Sequence, residues 1–258
     1  MGIPLDGLSL ARTAGVVAAF FVGVTVVVAH GLRDGARAAE AGECSRCRSS
    51  RGSTASSSRA TRSTSALITA TVTAALRFGA IRFGETSLAR DCLAFYDGAG
   101  GFQVFYWFLH RAMHQRARVW MHRWHHRSQV TTPLTGLSMH PPRRLGGWSA
   151  WWACPRSRRA SCPWGSGASS ATTAFNTLGN VVGHANVEPT ARFAATRNAT
   201  WFANAFVYHA MHHARWNGHY AFQAALMDRL MGTEWSDWPA LYERIASGRP
   251  LTSLQEKG

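Results

Sequence analysis

Three clusters of histidines carry the clearest sign of chemistry in this sequence, and eleven of its twelve histidines fall between residues 110 and 219. On an α-helix, residues three or four apart share a face, so the spacing predicts that each cluster points its imidazoles at one spot. Converging imidazoles suit iron, zinc or copper, and ligand type alone does not choose among these ions. The clustered residues are His110 and His114 in HRAMH, His122, His125 and His126 in HRWHH, and His209, His212 and His213 in HAMHH.

Acidic residues are scarce around these histidines, and their scarcity excludes several kinds of site. Glu188 is the only acidic residue between Gly98 and Met227. A carboxylate-bridged di-iron bundle needs several glutamates with Glu-x-x-His pairs, and a zinc protease needs H-E-x-x-H. Glycoside hydrolysis by two carboxylates lacks its second carboxylate in this stretch. The residues therefore predict an all-nitrogen site with eight to eleven imidazoles, enough for two metal ions.

The elements that must position the histidines are predicted to be helices. The apolar, aromatic run 102–109 leads directly into the first cluster, and the apolar run 201–213 ends in the third. Between them, residues 173–188 are apolar with small residues at the helix-packing spacing of Gly179-x-x-x-Gly183. We therefore expect the histidines to lie at the ends of helices.

An uncharged stretch at residues 13–29 is predicted to be a membrane-spanning helix. Its length is at the short limit for a span, which is about 17–25 residues. A secretory signal is the alternative, but Asp6 nearly offsets Arg12 in the region that should be positive. Arg33 and Arg37 after the span favour a cytoplasmic C-terminal side. The predicted fold class is all-α, an integral-membrane helical bundle with a histidine-rich di-metal site at the helix ends.

The formal net charge of +15 would suit a nucleic-acid partner or an anionic membrane, but two segments hold most of it. Residues 44–65 contain five arginines and no acid, as do residues 143–162. Without these ten arginines, 18 basic residues face 13 acidic ones, a net charge of +5. The alternative function is nucleic-acid binding through the arginines of these two segments. That alternative does not explain the spacing of the histidines. The five cysteines show no disulfide framework, which favours a reducing compartment.

The histidine clusters and three further motifs occur in an order that resembles one known family. FYWFLHRAMH, HRWHHRS, HP at 140–141, GHAN at 183–186, HAMHH and MDRLMGT at 227–233 are similar to the fatty acid hydroxylase/sterol desaturase superfamily. The resemblance implies a membrane-bound oxidoreductase with two iron ions, or zinc as the bound species. It further implies O2 as co-substrate, an external electron-transfer protein as donor, and hydroxylation or desaturation of a lipid in lipid biosynthesis.

The same resemblance implies a ligand set and a location. It makes the eight clustered histidines and His184 metal ligands, with His140 and His219 as further candidates. The expected location is the bacterial inner membrane, with the metal site on its cytoplasmic side. The expected partners are the lipid, the membrane and the electron-transfer protein, and no nucleic acid. Asp228 and Arg229 of the last motif are expected to pair with each other structurally.

Two segments depart from the family pattern. Residues 44–65 and 143–162 are rich in Arg, Ser, Cys, Trp and Pro where apolar helix is expected. We interpret these segments as out-of-frame translations. The alternative is that the chain is a divergent member of the family with a basic loop. The chain then divides into an N-terminal transmembrane region (1–38), a Ser/Arg-rich segment with a weak apolar helix (39–98), a histidine-box domain (99–235, irregular over 143–172) and a C-terminal tail (236–258). A catalytically impaired relative of the family is therefore the second alternative.

Overall fold

A computed structural model describes the chain over residues 87–123, 125–127, 166–188 and 204–249, with the short pieces 70, 73–74, 78, 131, 135–136 and 201. Every regular element in these ranges is helical, which confirms the all-α prediction for this part of the chain. The elements are α1 Leu88–Met113, α2 Val119–His122, a 3-10 helix His125–Arg127, α3 Ser166–Val182, α4 Val207–Arg215, α5 Leu226–Leu230 and α6 Trp238–Ala246.

Helix α1 carries the first histidine cluster at its C-terminal end. Its start is set by Ser87, whose hydroxyl accepts a hydrogen bond from the backbone N–H of Arg90 at 3.4 Å. Trp107, His110 and Met113 are three residues apart and all buried, so they share the inner face. The helix crosses the predicted domain border at 98–99, because the run that leads into the histidines is helical from residue 88 onwards.

Helix α3 begins inside the stretch predicted to be irregular, since residues 166–172 are already helical. The hydroxyls of Thr172, Thr173 and Thr177 donate to backbone carbonyls four residues earlier, at 2.7–2.8 Å. These bonds satisfy the hydroxyls within the helix itself. Helix α3 packs against α1, where the rings of Phe95 and Phe175 meet edge to face at 5.6 Å.

The predicted pair of packing glycines, Gly179 and Gly183, lies on α3 and at its C-terminal end. A Cβ atom on Gly179 would come within 1.7 Å of the Nε2 of Gln223, in the loop before α5. That Nε2 donates to the carbonyl of Phe175 at 3.2 Å. A Cβ atom on Gly183 would lie 2.8 Å from the carbonyl oxygen of Gly179 and 3.9 Å from the Cβ of His209. Because Gly179 has no side chain, Gln223 of the loop can pack against the backbone there. The glycine spacing had instead predicted contact with another helix at this position.

Helix α4 begins at Val207, later than the start at 201 that the apolar run predicted. The backbone N–H of Asn204 donates to the carbonyl of Gln223 at 2.6 Å, which ties the preceding chain to a loop. The backbone N–H of Val207 donates to the carboxylate of Glu188 at 2.8 Å. A carboxylate at a helix N-terminus is favoured by the helix dipole, so Glu188 stabilises the start of the helix that carries the third cluster.

Helix α6 shows that part of the predicted C-terminal tail belongs to the core. It begins after Asp237, with Pro239 in its first turn, and it packs against α4. Trp238, Leu241, Tyr242 and Ile245 are all buried. They share one core with Trp107 of α1 and with Tyr208, Met211 and Ala214 of α4. The apolar residues of α6 therefore support the helix that carries His209, His212 and His213.

Among the helices of the described ranges, none has both the length and the apolar character that a bilayer crossing requires. Four features of the sequence prediction lie outside the described residues: the predicted span 13–29, the segments 44–65 and 143–162, and His140.

Candidate metal centre

Nine histidines from four parts of the chain converge into two groups of buried side chains. Helix α1 contributes two, α2 and the 3-10 helix contribute three, the turn after α3 contributes one, and α4 contributes three. Within each group the candidate ligand atoms all lie within 4.8 Å of one another. The first group is His110, His114, His122, His126 and His212, and the second is His125, His184, His209 and His213.

The second and third clusters are each divided between the two groups, so the prediction that each cluster points at one spot is wrong for them. His122 ends α2, and the chain turns before His125 and His126 enter a 3-10 helix. His126 shares the first group with His122, four residues earlier, while its neighbour His125 faces the second group. On α4, His212 belongs to the first group and His209 and His213 to the second. The two groups are therefore adjacent, with the rings of His126 and His213 stacked at 4.5 Å.

The nitrogen-to-nitrogen distances in the first group match those of ligands around one ion. The Nε2 of His122 lies 2.9 Å from the Nε2 of His110 and 3.0 Å from that of His126, which is 3.2 Å from the Nε2 of His212. Two nitrogens held about 2.1 Å from a metal ion at a right angle lie about 3 Å apart. Four of the five histidines thus have the spacing of adjacent positions in one coordination sphere, and the ligand atoms of all five lie within 4.8 Å of one another.

In the second group, one nitrogen faces three others. The Nε2 of His184 lies 3.1 Å from the Nε2 of His125, 3.1 Å from that of His209 and 3.2 Å from that of His213. The Nδ1 of His184 is hydrogen-bonded to the carbonyl oxygen of Asn180, which can only accept, so Nδ1 carries the proton of the neutral ring. A single lone pair on Nε2 cannot accept three hydrogen bonds. A metal ion, on which several nitrogen lone pairs can converge, fits this arrangement.

Backbone carbonyls fix two rings of the first group in the same way. The Nδ1 of His110 donates to the carbonyl oxygen of Tyr220, and the Nδ1 of His212 donates to that of Gly218, both at 2.7 Å. Each bond leaves the Nε2 lone pair directed into the group. Metal-ligating histidines commonly donate the other ring N–H to a carbonyl or carboxylate, which sets the tautomer and the orientation of the ring.

Burial shields the site from water and keeps the imidazoles of His126 and His209 neutral. Eight of the nine histidines are buried, and His114 is half-buried. Burial, then the neighbouring histidines His213 and His212, lowers the pKa of His126 well below its usual 6.5. Burial, then His184 and His213, does the same to the pKa of His209. Neutral imidazole is the form that binds a metal, so these environments favour binding over protonation.

Aromatic rings surround the two groups. The ring of Trp216 lies 4.9 Å from that of His114 and 4.4 Å from that of His126. The ring of Phe222 lies 5.4 Å from that of His209 and 5.1 Å from that of Tyr106. These rings limit the access of water to the imidazoles.

His219, a further candidate from the sequence, is not brought to either group. Its Nδ1 donates to the carbonyl of Tyr208 at 3.2 Å, and its Nε2 accepts from the backbone N–H of Trp235 at 2.9 Å. The ring also stacks on that of Tyr208, with the centroids 3.5 Å apart. Because both nitrogens are used in hydrogen bonds, His219 supports the loop after α4 and is not placed to bind the same ion.

Asp228 does not pair with Arg229, so this expectation from the sequence is wrong. Arg229 instead forms an ion pair with Glu234, with Nε and Oε1 3.0 Å apart. The carboxylate of Asp228 is fully buried and accepts hydrogen bonds from the Trp107 indole and from the backbone of Tyr220, among others. Sequence reasoning missed the role of Asp228 because adjacent opposite charges suggested a local pair.

The buried His219 predicts a dependence of stability on pH. Burial lowers its pKa from 6.5 in the unfolded chain to about 3 in the folded one. Between these values the unfolded chain binds a proton that the folded chain does not. The free energy of unfolding is therefore expected to fall as the pH drops from 6.5 towards 3, by at most about 1.4 kcal/mol per pH unit from this residue.

Urea unfolding of the metal-free protein and of His219→Asn tests this at several pH values between about 5 and 7.5. Asparagine does not titrate and tolerates the positive φ of 50° at this position. The other buried histidines are present in both proteins, so their effect cancels in the difference. We expect the stability of the variant to fall less steeply with falling pH. Parallel curves would contradict the assignment.

Comparison with known proteins gives one match. Residues 97–233 match the sequence model of a family described as fatty acid hydroxylase. The matched range covers more than half of the 258 residues and contains all nine histidines of the two groups. Comparison with curated proteins and with solved structures gave no significant match.

Proposed function

The chain belongs to the fatty acid hydroxylase family, as its motifs predicted, and on that premise we propose that it is an O2-dependent oxidoreductase that hydroxylates or desaturates a lipid. The family assigns the general class of hydroxylase-type oxidoreductase. The finer proposal is a non-haem enzyme with two iron ions, one in each histidine group, and an external electron-transfer protein as donor. Zinc is another ion that this donor set accepts readily.

The observation that carries the proposal is the composition of the two groups. Five and four histidines converge without a cysteine or a carboxylate among them, as far as the described residues extend. Such a donor set suits iron, and it does not resemble the thiolate-rich set of a structural zinc site. Two adjacent all-histidine groups in a dry, aromatic surrounding support redox chemistry on an apolar substrate.

The roles of the chain's own residues follow from their contacts. When bound, the two ions would supply the activation of O2 that cleavage of an unactivated C–H bond requires. The nine imidazoles would hold the ions, and the carbonyls of Tyr220, Gly218 and Asn180 keep three of the rings oriented. Trp216 and Phe222 exclude water from the two groups, which limits side reactions of reactive oxygen species.

We propose that the enzyme is an integral membrane protein and takes its substrate from the membrane. Large apolar side chains are exposed along α1, among them Leu93 at 71% and Phe108 at 54%. Phe175 and Leu178 of α3 are exposed as well. The uncharged stretch 13–29 would supply a span, and Arg33 and Arg37 after it favour a metal site on the cytoplasmic side of a bacterial inner membrane.

An isotope experiment tests the reaction and separates its two forms. The detergent-solubilised, iron-loaded protein is supplied with a reductase system, 18O2 and a mixture of fatty acyl lipids and sterols. Hydroxylation inserts one oxygen atom of O2 into a C–H bond and releases the other as water, with two electrons and two protons from the donor. Desaturation removes two hydrogen atoms from the lipid and leaves no oxygen in it. Mass spectrometry therefore shows either a gain of one 18O or a loss of two hydrogens.

A variant control ties the product to the site. His125→Ala removes one ligand candidate from the second group and should abolish product formation under the same conditions. Iron-loaded wild-type protein that yields neither product would favour the catalytically impaired relative. Salt-sensitive DNA binding without bound metal would instead favour the nucleic-acid-binding alternative.

A further inference from the structure

One buried carboxylate connects the last sequence motif with the first histidine group, although it touches none of the histidines. We propose that Asp228 is a positioning residue for the five-histidine group. It fixes the loop 216–221, between α4 and α5, whose carbonyls orient His110 and His212. This inference rests on the proposed function, in that the group must bind a metal ion.

The loop 216–221 supplies the two carbonyls that orient His110 and His212 in the first group. Gly218 accepts the N–H of His212, and Tyr220 accepts the N–H of His110. In the four-histidine group, the Nδ1 of His184 is bonded instead to the carbonyl of Asn180 on α3. Any displacement of the loop would therefore disturb the first group before the second.

Asp228 holds this loop through its backbone. The N–H of Tyr220 donates to Oδ1 of Asp228 at 2.9 Å, and the N–H of Ala221 donates to Oδ2 at 2.8 Å. The first of these N–H groups belongs to the same residue whose carbonyl orients His110. The carboxylate is fully buried, so these charge-assisted bonds are not exchanged with water.

Two further donors connect the carboxylate to its surroundings. The indole N–H of Trp107, one turn before His110 on α1, donates to Oδ1 at 2.9 Å. The hydroxyl of Thr233 donates to the same oxygen at 2.6 Å. The carbonyl of Thr233 in turn accepts the backbone N–H of His219 at 2.9 Å, next to Gly218. Asp228 thus ties α1, the loop and the turn after α5 together around the two carbonyls.

The close packing of the loop leaves it little freedom to move independently. Gly218 has a positive φ of 78°, and a Cβ atom there would lie 2.8 Å from the carbonyl oxygen of Thr233. The neighbouring residues Trp216 and His219 also have positive φ values, of 70° and 50°. Such a conformation persists only when the surrounding bonds determine it, and Asp228 and Thr233 supply those bonds.

Zinc titration of the metal-free, full-length protein tests the proposal without any activity assay. The ion is added in competition with a chelator, and bound zinc per folded chain is counted by mass spectrometry. Asp228→Asn replaces one acceptor oxygen with an amide N–H2 that faces other donors. We expect the affinity for one of two zinc ions to fall about 10- to 100-fold, with the second ion unaffected.

Glu234→Gln is the matched control, because it also replaces a carboxylate by an amide, at a half-buried position in the turn after α5. It disrupts the ion pair with Arg229 and leaves the bonds of Asp228 in place. We expect this variant to lose stability but to keep both zinc affinities. If Asp228→Asn does not fold, Thr233→Val removes only one donor to the carboxylate and should weaken the same ion more mildly.

Three outcomes separate the inference from the function on which it rests. Selective weakening of one ion supports the positioning role. Two zinc ions bound with unchanged affinity, or both weakened equally as in a general loss of stability, would overturn that role while leaving the proposed function intact. Wild-type protein that binds no zinc or iron would overturn the proposed function itself.

Discussion

Replacing His212 by alanine is expected to remove one bound metal ion, and replacing the adjacent His213 is expected to remove the other. The two residues lie side by side on α4, are equally buried and have the same chemistry, yet they belong to different groups. Each variant should retain about one ion per chain, and the double variant should retain none. Either single change should lower the rate of product formation at least about 100-fold, because even outer-shell changes at metal sites cost 10- to 100-fold.

Metal content measured on the folded, monodisperse fraction checks this result, with circular dichroism to show that the helices remain. Leu230→Ala is a suitable control, since this leucine is 64% exposed at the end of α5 and lies outside both groups and outside the loop after α4. It should keep both ions. Loss of both ions from His212→Ala and from His213→Ala alike would show that the two groups do not bind independently.

Replacing Leu241 by alanine is expected to lower the free energy of unfolding by about 2–5 kcal/mol. Leu241 is fully buried on α6, in the core that α6 shares with Tyr208 and Met211 of α4. The loss has two sources, the apolar surface no longer buried and the cavity left behind. Helix α6 lies in the segment that the sequence predicted to be a tail. The variant therefore also tests whether α6 stabilises α4, which carries the third histidine cluster.

Chemical denaturation of the metal-free protein in detergent measures this change. Leu230→Ala is the matched control, because this leucine is 64% exposed at the end of α5. Its removal should change the free energy of unfolding by about 0.5 kcal/mol or less. Equal effects of the two variants would contradict the buried position of α6.

The histidines of the site could be predicted from the sequence, but their division into two groups could not. Spacing of three and four residues predicts one shared face, yet in the second and third clusters only the histidines four residues apart share a group, and the one between them joins the other group. The third cluster is helical throughout, and there the division arises from what packs on each side. His212 faces His126, whereas His213 faces His125 and His184.

The residues that orient the histidines could not be identified from the sequence, for a different reason. Asn186 and Asn217 have side chains that could orient imidazoles, but Gly218, Tyr220 and Asn180 do so through backbone carbonyls. Every residue has such a carbonyl, so residue type carries no signal for this role. The one available signal was Asp228, an acid within an apolar, histidine-rich region.

The helix boundaries show the same limit of sequence patterns. The start of α4 depends on bonds to Glu188, 19 residues earlier, which an apolar run cannot reveal. The first turns of α3 carry hydroxyls that bond to carbonyls of the same helix, and an apolar pattern does not reveal them. By contrast, the inner face of α1 follows directly from the spacing of Trp107 and His110, and sequence reasoning recovered the histidine-bearing end of that helix.

The most direct test of two adjacent all-histidine metal sites is the metal content and X-ray absorption of the iron-loaded wild-type protein. About two irons per chain, with nitrogen or oxygen neighbours at about 2.1 Å and no sulfur, are expected from the two groups. Less than one iron per folded chain, or a coordination shell that contains sulfur, would contradict them.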